Sequence, residues 1–387
     1  MEFTCQSVRN HFIRQFSAEP LIIRSPGRIN LIGEHTDYND GFVMPAAIDK
    51  EIIFALALSG TTKSIIHALN FQETIEVDIS NTQRIEHPAW ANYLLGVIRQ
   101  LTDRGKTLKP FVCVFGGNIP PGSGMSSSAA LECGFAFAMN ELNGLQIPKL
   151  ELVKIGQWSE HNFVGVRCGI MDQFANMMGK ENHVIQLDCR SLKYQYYPIQ
   201  LQEYSIVLIN SGVKHSLASS EYNLRRAECE EGVQILQSRN KRISSLRDVP
   251  LNDLVTNRSL FSENVYNRCK YIIQEIERVQ WASVDLQRGD LPAFGTKMFE
   301  THYGLRNLYQ VSCAELDFLV DMIHKHPEVL GSRLMGGGFG GCTINIVQSS
   351  AVDRITDLIS TGYRKQFRID IESYPVQIKD GTSLAKV

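Results

Sequence analysis

Short apolar runs, rich in Ile, Val and Phe, recur along the chain and are typical of β-strands. They predict strands at residues 21–23, 42–58, 109–115, 204–209 and 342–347. Strand-forming segments therefore occur in both halves of the chain.

Other segments carry apolar residues at the 3.6-residue spacing of an amphipathic helix. They predict helices at residues 90–104, 150–163 and 219–237. A further helix is predicted to start at the serines 126–128, whose hydroxyls could cap it, and to end before Gly144.

Strands and helices do not alternate strictly, which favours an α+β fold over a doubly wound sheet. A length of 387 residues indicates about two domains at roughly 100–200 residues each. The new strand at 204–209 places the predicted boundary near residue 200. Residues 239–263 are polar and rich in turn formers, and they predict a surface excursion.

Charge and cysteine usage narrow the class of protein. With 39 Lys and Arg against 41 Asp and Glu, the net charge is −2, which gives no reason to expect a nucleic-acid or membrane partner. The nine cysteines include no CxxC pair, so they predict small buried residues in a reducing compartment. No signal core and no apolar run near the ~20 residues of a membrane span is present. We therefore expect a cytoplasmic protein.

The segment 120–130, PPGSGMSSSAA, joins a predicted strand to a predicted helix. Gly122 and Gly124 let the backbone approach a ligand closely, and a helix start attracts anions such as phosphate. A Walker loop is excluded because Ser123 stands where that motif requires Lys. An ordinary glycine turn with a serine cap explains the loop shape equally well.

A second glycine-rich turn, 336–341, matches the letters GxGxxG. A dinucleotide-binding fold would require a helix after it, whereas residues 343–347 are strand-like. The turn is therefore either a tight β-turn or one wall of an active site.

Polar residues crowd the segment 27–41 between two apolar strands. Glu34 and Asp37 could accept hydrogen bonds from the hydroxyls of a polyol, and Arg28 could neutralise phosphate. A solvated turn, or a metal site of Glu34, His35 and Asp37, remains an alternative at this point.

Three motifs together resemble those of the GHMP kinase family. They are GRINLIGEHTDYNDGFVMP (27–45), PPGSGMSSSAALE (120–132) and LMGGGFGGCTI (334–344), with further similarity at 159–179 and 210–226. Their order and spacing also match, and the first motif is similar to that of the branch that phosphorylates galactose.

The resemblance implies a two-domain GHMP kinase fold with the active site in the cleft between the domains. Residues 1–200 would form a ribosomal-S5-like domain that binds sugar and ATP, and residues 201–387 a ferredoxin-like domain. It also implies ATP-dependent phosphorylation of the C1 hydroxyl of galactose, with Mg²⁺ as cofactor and a monomeric enzyme. A kinase for N-acetylgalactosamine or arabinose, or a non-catalytic galactose sensor, is the alternative.

The resemblance also implies roles for individual residues. Sugar hydroxyls would be bound by Glu34, His35, Thr36, Asp37, Gly169 and Tyr222, with Asp37 at the C3 and C4 hydroxyls. The phosphates of ATP would be bound by Gly122, Ser123, Gly124, Met125, Ser126, Ser127 and Ser128. Ser128 and Glu160 would hold Mg²⁺.

For catalysis, the resemblance implies Asp172 as the base for the C1 hydroxyl and Arg28 as the stabiliser of the transition state. Asp172 precedes apolar residues at helical spacing, so it is expected in the first turn of a helix, where it could also serve as a cap. A helix start and a nearby Arg28 would stabilise its carboxylate form and weaken it as a base. Whether Asp172 removes the proton early or orients the hydroxyl and accepts the proton late is left open.

Overall fold

A computed structural model describes residues 2–213 and 218–385 of the chain. The helices are α1 Cys5–Phe16, α2 Ala91–Asp103, α3 Ser127–Asn143, α4 Lys149–Ser159, α5 Met171–Met178, α6 Ala218–Gln237, α7 Leu251–Thr256, α8 Glu263–Arg288, α9 Leu291–Gly304, α10 Ala314–Ile323 and α11 Val352–Phe367. The strands are β1 Leu21–Asn30, β2 Phe42–Val43, β3 Pro45–Leu58, β4 Ser64–Ala68, β5 Glu73–Val77, β6 Phe111–Gly117, β7 His183–Asp188, β8 Tyr194–Pro198, β9 Tyr204–Asn210, β10 Val329–Leu334, β11 Cys342–Gln348, β12 Glu372–Val376 and β13 Ser383–Leu384.

The first sheet has the strand order β13-β1-β3-β6-β4-β5, and β4 and β6 are its parallel pair. Alternate residues of a strand point to opposite faces, and both faces are covered here. Ile23 and Phe54 pack into the large core that also contains residues of α2, α3 and α4. Ile22 and Ile53 pack against α1 on the other side. The apolar runs that predicted these strands are continuous because neither face is open to water.

The second sheet has the order β10-β11-β9-β12 and is antiparallel throughout. If β9, β10, β11 and β12 are numbered 1 to 4 in chain order, the strand order is 2-3-1-4, which is that of a ferredoxin-like sheet. Val207 and Ile209 face α10 and α11, whereas Ile206 and Leu208 face the core that contains α9. A small sheet, β2-β7-β8, completes the structure.

The α+β class and the predicted strands and helices are confirmed, with small shifts at most of their ends. The first strand is the exception: predicted at 21–23, it continues to Asn30 and so includes Arg28. The expectation for residues 239–263 is wrong in part. This segment contains α7, and Leu246, Leu254 and Phe261 are buried in a core with α8. Its many polar residues concealed these few apolar anchors.

The division at residue 200 stays a prediction. Strand β13 pairs with β1, so residues 383–384 complete the first sheet although they follow the second sheet in the chain. Among the described residues, no helix combines the length and apolarity needed to cross a bilayer.

Candidate active site

A cleft of about 400 Å³ opens where the ends of several elements meet. One wall is the loop 120–128 with the start of α3, and the opposite wall is the glycine-rich turn between β10 and β11. The cleft is lined by Arg28, Glu34, His35, Asp37, Tyr93, Pro120, Gly122, Ser123, Gly124, Met125, Ser126, Ser127, Ser128, Glu160, Val166, Cys168, Gly169, Met171, Asp172, Tyr222, Gly336, Gly337, Gly338 and Phe339. Of the predicted site residues, all but Thr36 line this cleft.

The loop before α3 has the conformation that its glycines permit. Gly122 and Gly124 have φ of 72° and 74°, and Ser126 also lies in the left-handed region with φ of 56°. The hydroxyl of Ser123 donates to the carbonyl of Pro120 at 2.7 Å and closes the turn. Met125 also lines the cleft, but its side chain is packed into a hydrophobic core and is not solvated.

The prediction that Ser126 caps α3 with its hydroxyl is wrong. Ser126 occupies the N-cap position, but its side chain donates to Asp172 instead of to the first turn of the helix. Because the left-handed backbone turns this side chain away, the N–H groups at the start of α3 are not capped by it. A helix start of this kind is suited to an anion.

Arg28 and Asp172 form a bidentate ion pair inside the cleft. Arg28 Nε lies 2.7 Å from Asp172 Oδ1, and Nη2 lies 2.8 Å from Oδ2. Arg28 also donates to the carbonyl of Gly124 at 2.5 Å, which ties β1 to the phosphate loop. Burial by itself would lower the pKa of Arg28, but the charges of Asp172 and Glu34 outweigh it and raise that pKa. The guanidinium is therefore a fixed positive charge next to the loop.

Asp172 is the second residue of α5, in the first turn as predicted. One of its oxygens accepts from Arg28 alone, and the other accepts from both Arg28 and Ser126. Its side chain remains 24% exposed, so the carboxylate is held firmly but is open to the cleft.

Glu34 joins the first polar motif to the second glycine-rich turn. Its Oε1 accepts from the backbone N–H of Gly336 at 2.7 Å and from Arg333 Nη2 at 3.1 Å. Arg333 is fully buried and also donates to the carbonyl of Leu31 at 2.8 Å. The turn is thus an active-site wall, the second of the two interpretations that its sequence allowed.

Asp37 faces the cleft with little room around it. Burial, and then the charges of Asp172 and Glu34, raise the pKa of Asp37 to about 7. A Cβ at position 169 would lie 1.8 Å from Asp37 Oδ2, so only glycine fits there. Gly169 therefore allows the carboxylate of Asp37 to occupy its position.

His35 is held between aromatic rings. Its ring centroid lies 4.8 Å from that of Tyr309 and 5.4 Å from that of Tyr222, and its Nδ1 lies 2.7 Å from the hydroxyl of Tyr38. Burial, and then the positive charge of Arg225, lower the pKa of His35 to about 3, so the imidazole is neutral.

Thr36 is the one predicted sugar-binding residue that the structure does not bring to the cleft. It is fully buried, and its hydroxyl lies 2.9 Å from the carbonyl oxygen of Gly33 and 2.6 Å from that of Phe42. Its side chain holds the turn that presents its neighbours His35 and Asp37.

Glu160 reaches the start of α3 from a π-helical turn, Glu160–Val164, that extends α4. Burial, and then the charge of Asp172, raise the pKa of Glu160, while hydrogen bonds with Glu132, Cys168 and Ser128, in that order of size, oppose that shift. A hydroxyl beside a carboxylate is a pair of hard oxygen donors and fits Mg²⁺, which takes few protein ligands and fills its shell with water and phosphate. Within the described parts of the chain, no cluster of three His, Cys, Asp or Glu offers a full protein cage for a metal.

Sequence reasoning missed several residues around this centre. Tyr93 lines the cleft from α2, and no local motif distinguished it from a core residue. Gln173 and Glu132 lie behind Glu160, with Gln173 Nε2 2.7 Å from Glu132 Oε1 and 2.8 Å from Glu160 Oε2. The sequence offered two signals: Gln173 is a polar residue next to Asp172, and Glu132 is an acidic residue inside the apolar helix α3.

Comparisons with known proteins agree with this geometry. The chain matches the galactokinase galactose-binding signature over residues 10–58, the N-terminal domain of GHMP kinases over 92–180 and their C-terminal domain over 282–364. The galactokinase of Thermotoga maritima is 42% identical over 360 residues, which are 93% of this chain and 98% of that protein. The galactokinase of Chloroflexus aurantiacus is 40% identical over 88% of this chain and 87% of its own.

Solved structures agree on the fold. The structure of Lactococcus lactis galactokinase complexed with galactose superimposes with a TM-score of 0.95 at 34% identity, over 98% of this chain and 99% of that one. Methanococcus jannaschii mevalonate kinase superimposes with a TM-score of 0.65 at 16% identity, over 94% of this chain and 99% of its own, which concerns the fold alone.

The fold, together with a cleft built on an uncapped helix start, defines a small-molecule kinase of the GHMP class. Such an enzyme uses ATP as its co-substrate. At 42% identity over 93% of its length, the chain belongs to the galactokinase family and is a sugar kinase.

Proposed function

We propose that the enzyme transfers the γ-phosphoryl group of ATP to the C1 hydroxyl of α-D-galactose, giving α-D-galactose 1-phosphate and ADP. This reaction would be the first committed step of galactose catabolism. The observation that carries the proposal is that one cleft joins a helix start suited to phosphate, the Arg28–Asp172 pair and the carboxylates of Glu34 and Asp37.

On the sugar side, the chain offers acceptors for hydroxyl protons. Carboxylates accept several hydrogen bonds. Glu34 is held by Gly336 and Arg333, and Asp37 faces the cleft. Asp37 would contact the C3 and C4 hydroxyls and so distinguish galactose from glucose. His35, Gly169 and Tyr222 would complete the sugar pocket.

On the phosphate side, the loop 122–128 would wrap the phosphates of ATP with its backbone N–H groups. Arg28 would neutralise the charge that develops on the transferred group. Ser128 and Glu160 would hold Mg²⁺. Bound there, the ion would neutralise phosphate charge and help to align the γ-phosphoryl group.

Asp172 would orient the C1 hydroxyl. Its two carboxylate oxygens are held by hydrogen bonds from Arg28 and Ser126, so the group has a fixed position from which it can accept a hydrogen bond from the C1 hydroxyl. The new O–P bond then forms as the bond from the γ-phosphorus to ADP breaks, and the hydroxyl proton passes to Asp172. Of the two roles that the sequence left open for Asp172, the orienting role with late proton acceptance is the one we propose.

The proposal is tested by ADP release in the presence of Mg·ATP, with galactose, glucose, N-acetylgalactosamine and arabinose side by side. Turnover with galactose and not with glucose is the expected result. Turnover confined to another sugar would show that this other sugar is the substrate. Galactose binding without ADP release would indicate a sensor. Asp172→Ala should lose turnover and keep sugar binding, and unchanged turnover in this variant would remove Asp172 from the mechanism.

A further inference from the structure

A chain of hydrogen bonds runs from the cleft into the protein behind His35. His35 Nδ1 lies 2.7 Å from the hydroxyl of Tyr38, and that hydroxyl lies 2.7 Å from the hydroxyl of Tyr309. Tyr309 in turn lies 3.3 Å from the sulfur of Cys229. Tyr309 and Cys229 are almost completely buried, so water cannot supply alternative partners for them.

The other ring nitrogen of His35 has no such partner. His35 is 3% exposed and lines the cleft, and its Nε2 is buried without a well-formed hydrogen bond to the described residues, although the backbone of Gly337 in the cleft wall acts to raise the pKa of His35. A buried polar atom of this kind is costly unless a ligand satisfies it. The geometry therefore directs Nε2 toward a bound molecule.

A neutral imidazole has one N–H donor and one acceptor nitrogen, so the proton on one nitrogen decides the role of the other. The state of Nδ1 depends on the direction of the hydroxyl chain. Thiols are weak donors and weak acceptors, so Tyr309 gains more by donating its proton to Tyr38 than to Cys229. The hydroxyl of Tyr38 is then free to donate to Nδ1, and a phenol is a better donor than an imidazole.

We propose that Tyr38 and Tyr309 are positioning residues that hold His35 as the Nε2–H tautomer, so that His35 presents a hydrogen-bond donor to an oxygen of the sugar. This inference rests on the proposed function and deepens it. The site would then combine carboxylate acceptors, Glu34 and Asp37, with one neutral donor. A sugar hydroxyl can satisfy both kinds of group at once, because it donates one hydrogen bond and accepts others.

The packing around the ring supports a fixed orientation. Tyr309 and Tyr222 lie 4.8 Å and 5.4 Å from His35, measured between ring centroids, and Tyr38 meets its edge at 5.8 Å. Rotation of the imidazole to exchange its nitrogens would displace these rings. The packing therefore fixes the orientation of the ring, and the tyrosine hydroxyls determine which of its nitrogens carries the proton.

The first test is nitrogen NMR of the histidine rings in the full-length protein without sugar, with the His35 signals assigned by their absence in His35→Gln. We expect a protonated, pyrrole-like Nε2 and a pyridine-like Nδ1. In Tyr38→Phe, we expect a mixture of both tautomers. A pyrrole-like Nδ1 in the wild type would overturn the proposal, as would an unchanged spectrum in Tyr38→Phe.

The second test is kinetic. Tyr38→Phe should raise KM for galactose about tenfold, the effect of one hydrogen bond, and leave KM for ATP unchanged. A panel of deoxygalactoses then identifies the hydroxyl that His35 contacts. Loss of that hydroxyl should raise KM in the wild type but add little in Tyr38→Phe, because both changes remove the same interaction. Fully additive losses at every position would contradict the proposal.

Tyr309→Phe serves as the second variant if Tyr38→Phe does not fold, with the same expected shift in tautomer and KM. Tyr363→Phe is the matched control, since Tyr363, on α11, is also fully buried and its hydroxyl donates to the carbonyl of Ser211 at 2.7 Å. It should change neither the tautomer nor the KM for galactose. Absence of galactose turnover in the wild type would refute the proposed function, whereas the NMR result does not depend on turnover.

Discussion

Asp37 illustrates how a binding site can weaken the fold that contains it. Its pKa is raised from 3.8 to about 7, so the folded protein without sugar binds a proton there more tightly than the unfolded chain does. The associated stability is fully present below pH 3.8 and is lost as the pH rises through about 7. At neutral pH and above, the charged carboxylate opposes folding.

We predict that Asp37→Asn, which keeps the shape and removes the charge, stabilises the protein without sugar at pH 8. A pKa rise from 3.8 to about 7 corresponds to about 4 kcal/mol at ~1.36 kcal/mol per unit. The carboxylate faces the water of the cleft on one side, so we expect roughly half of this, about 2 kcal/mol. The advantage of the variant should grow between pH 4 and pH 7 and then level off.

The measurement is urea unfolding of both proteins between pH 4 and pH 8. Asp353→Asn, a change at an exposed position of α11, is the matched control and should show no comparable growth with pH. Saturating galactose should then stabilise the wild type more than Asp37→Asn. The reasoning is wrong if Asp37→Asn is no more stable than the wild type at pH 8, or if its advantage does not change with pH.

Three further predictions concern residues that line the cleft beside Asp37 or lie behind Glu34. Calorimetry of the wild type should show galactose affinity falling as the pH drops below about 7, toward tenfold per unit, because protonated Asp37 loses an acceptor; a flat profile would contradict this. Gly169→Ala should raise KM for galactose at least tenfold and leave KM for ATP unchanged, since its Cβ would lie 1.8 Å from Asp37 Oδ2, whereas Gly60→Ala, with open space around it, should be neutral in both. Arg333→Met should destabilise the protein by about 3–5 kcal/mol in urea unfolding, because it removes the positively charged partner of the buried Glu34 carboxylate, and an effect below about 1 kcal/mol would refute that account.

Much of the fold could be predicted from the sequence, because apolar periodicity reports directly on burial. The long apolar strand β3 is buried over most of its length, and α3 ends at Gly144 with the left-handed backbone expected of a glycine cap. The prediction of a surface excursion at 239–263 was wrong in part, because most residues of this segment are polar and its buried residues form no regular pattern. Its five buried apolar residues are spread over short turns and the six-residue helix α7, so they show no sustained helix or strand period, yet they are sufficient to fix the segment against α8; they are Ile243, Leu246, Val249, Leu254 and Phe261.

The candidate site was predictable where chemistry is concentrated in a motif, and less so where long-range contacts decide the role of a side chain. Ser126 stands in a serine run that reads as a helix cap, but the backbone turns its hydroxyl toward Asp172, 46 residues away in the chain. Thr36 shares the motif of Glu34 and Asp37 and yet faces the opposite way. The sequence motif shows which residues are close along the chain. It does not show which way each side chain points, because the backbone conformation of the turn decides that.

The pairing of β13 with β1 has a consequence for biosynthesis. Ile23 and Arg24 of β1 lie opposite Leu384 and Ser383, and the Thr382 hydroxyl donates to Asn176 at 2.7 Å. About 360 residues separate the two strands, so at roughly 5–20 residues per second the ribosome needs about 20–70 s between them. Throughout that interval the strand that carries Arg28 has an unpaired edge, open to pairing with other nascent chains. The edge of β1 at Ile23 and Arg24 is therefore the last part of the first sheet to be covered as the polypeptide is synthesised.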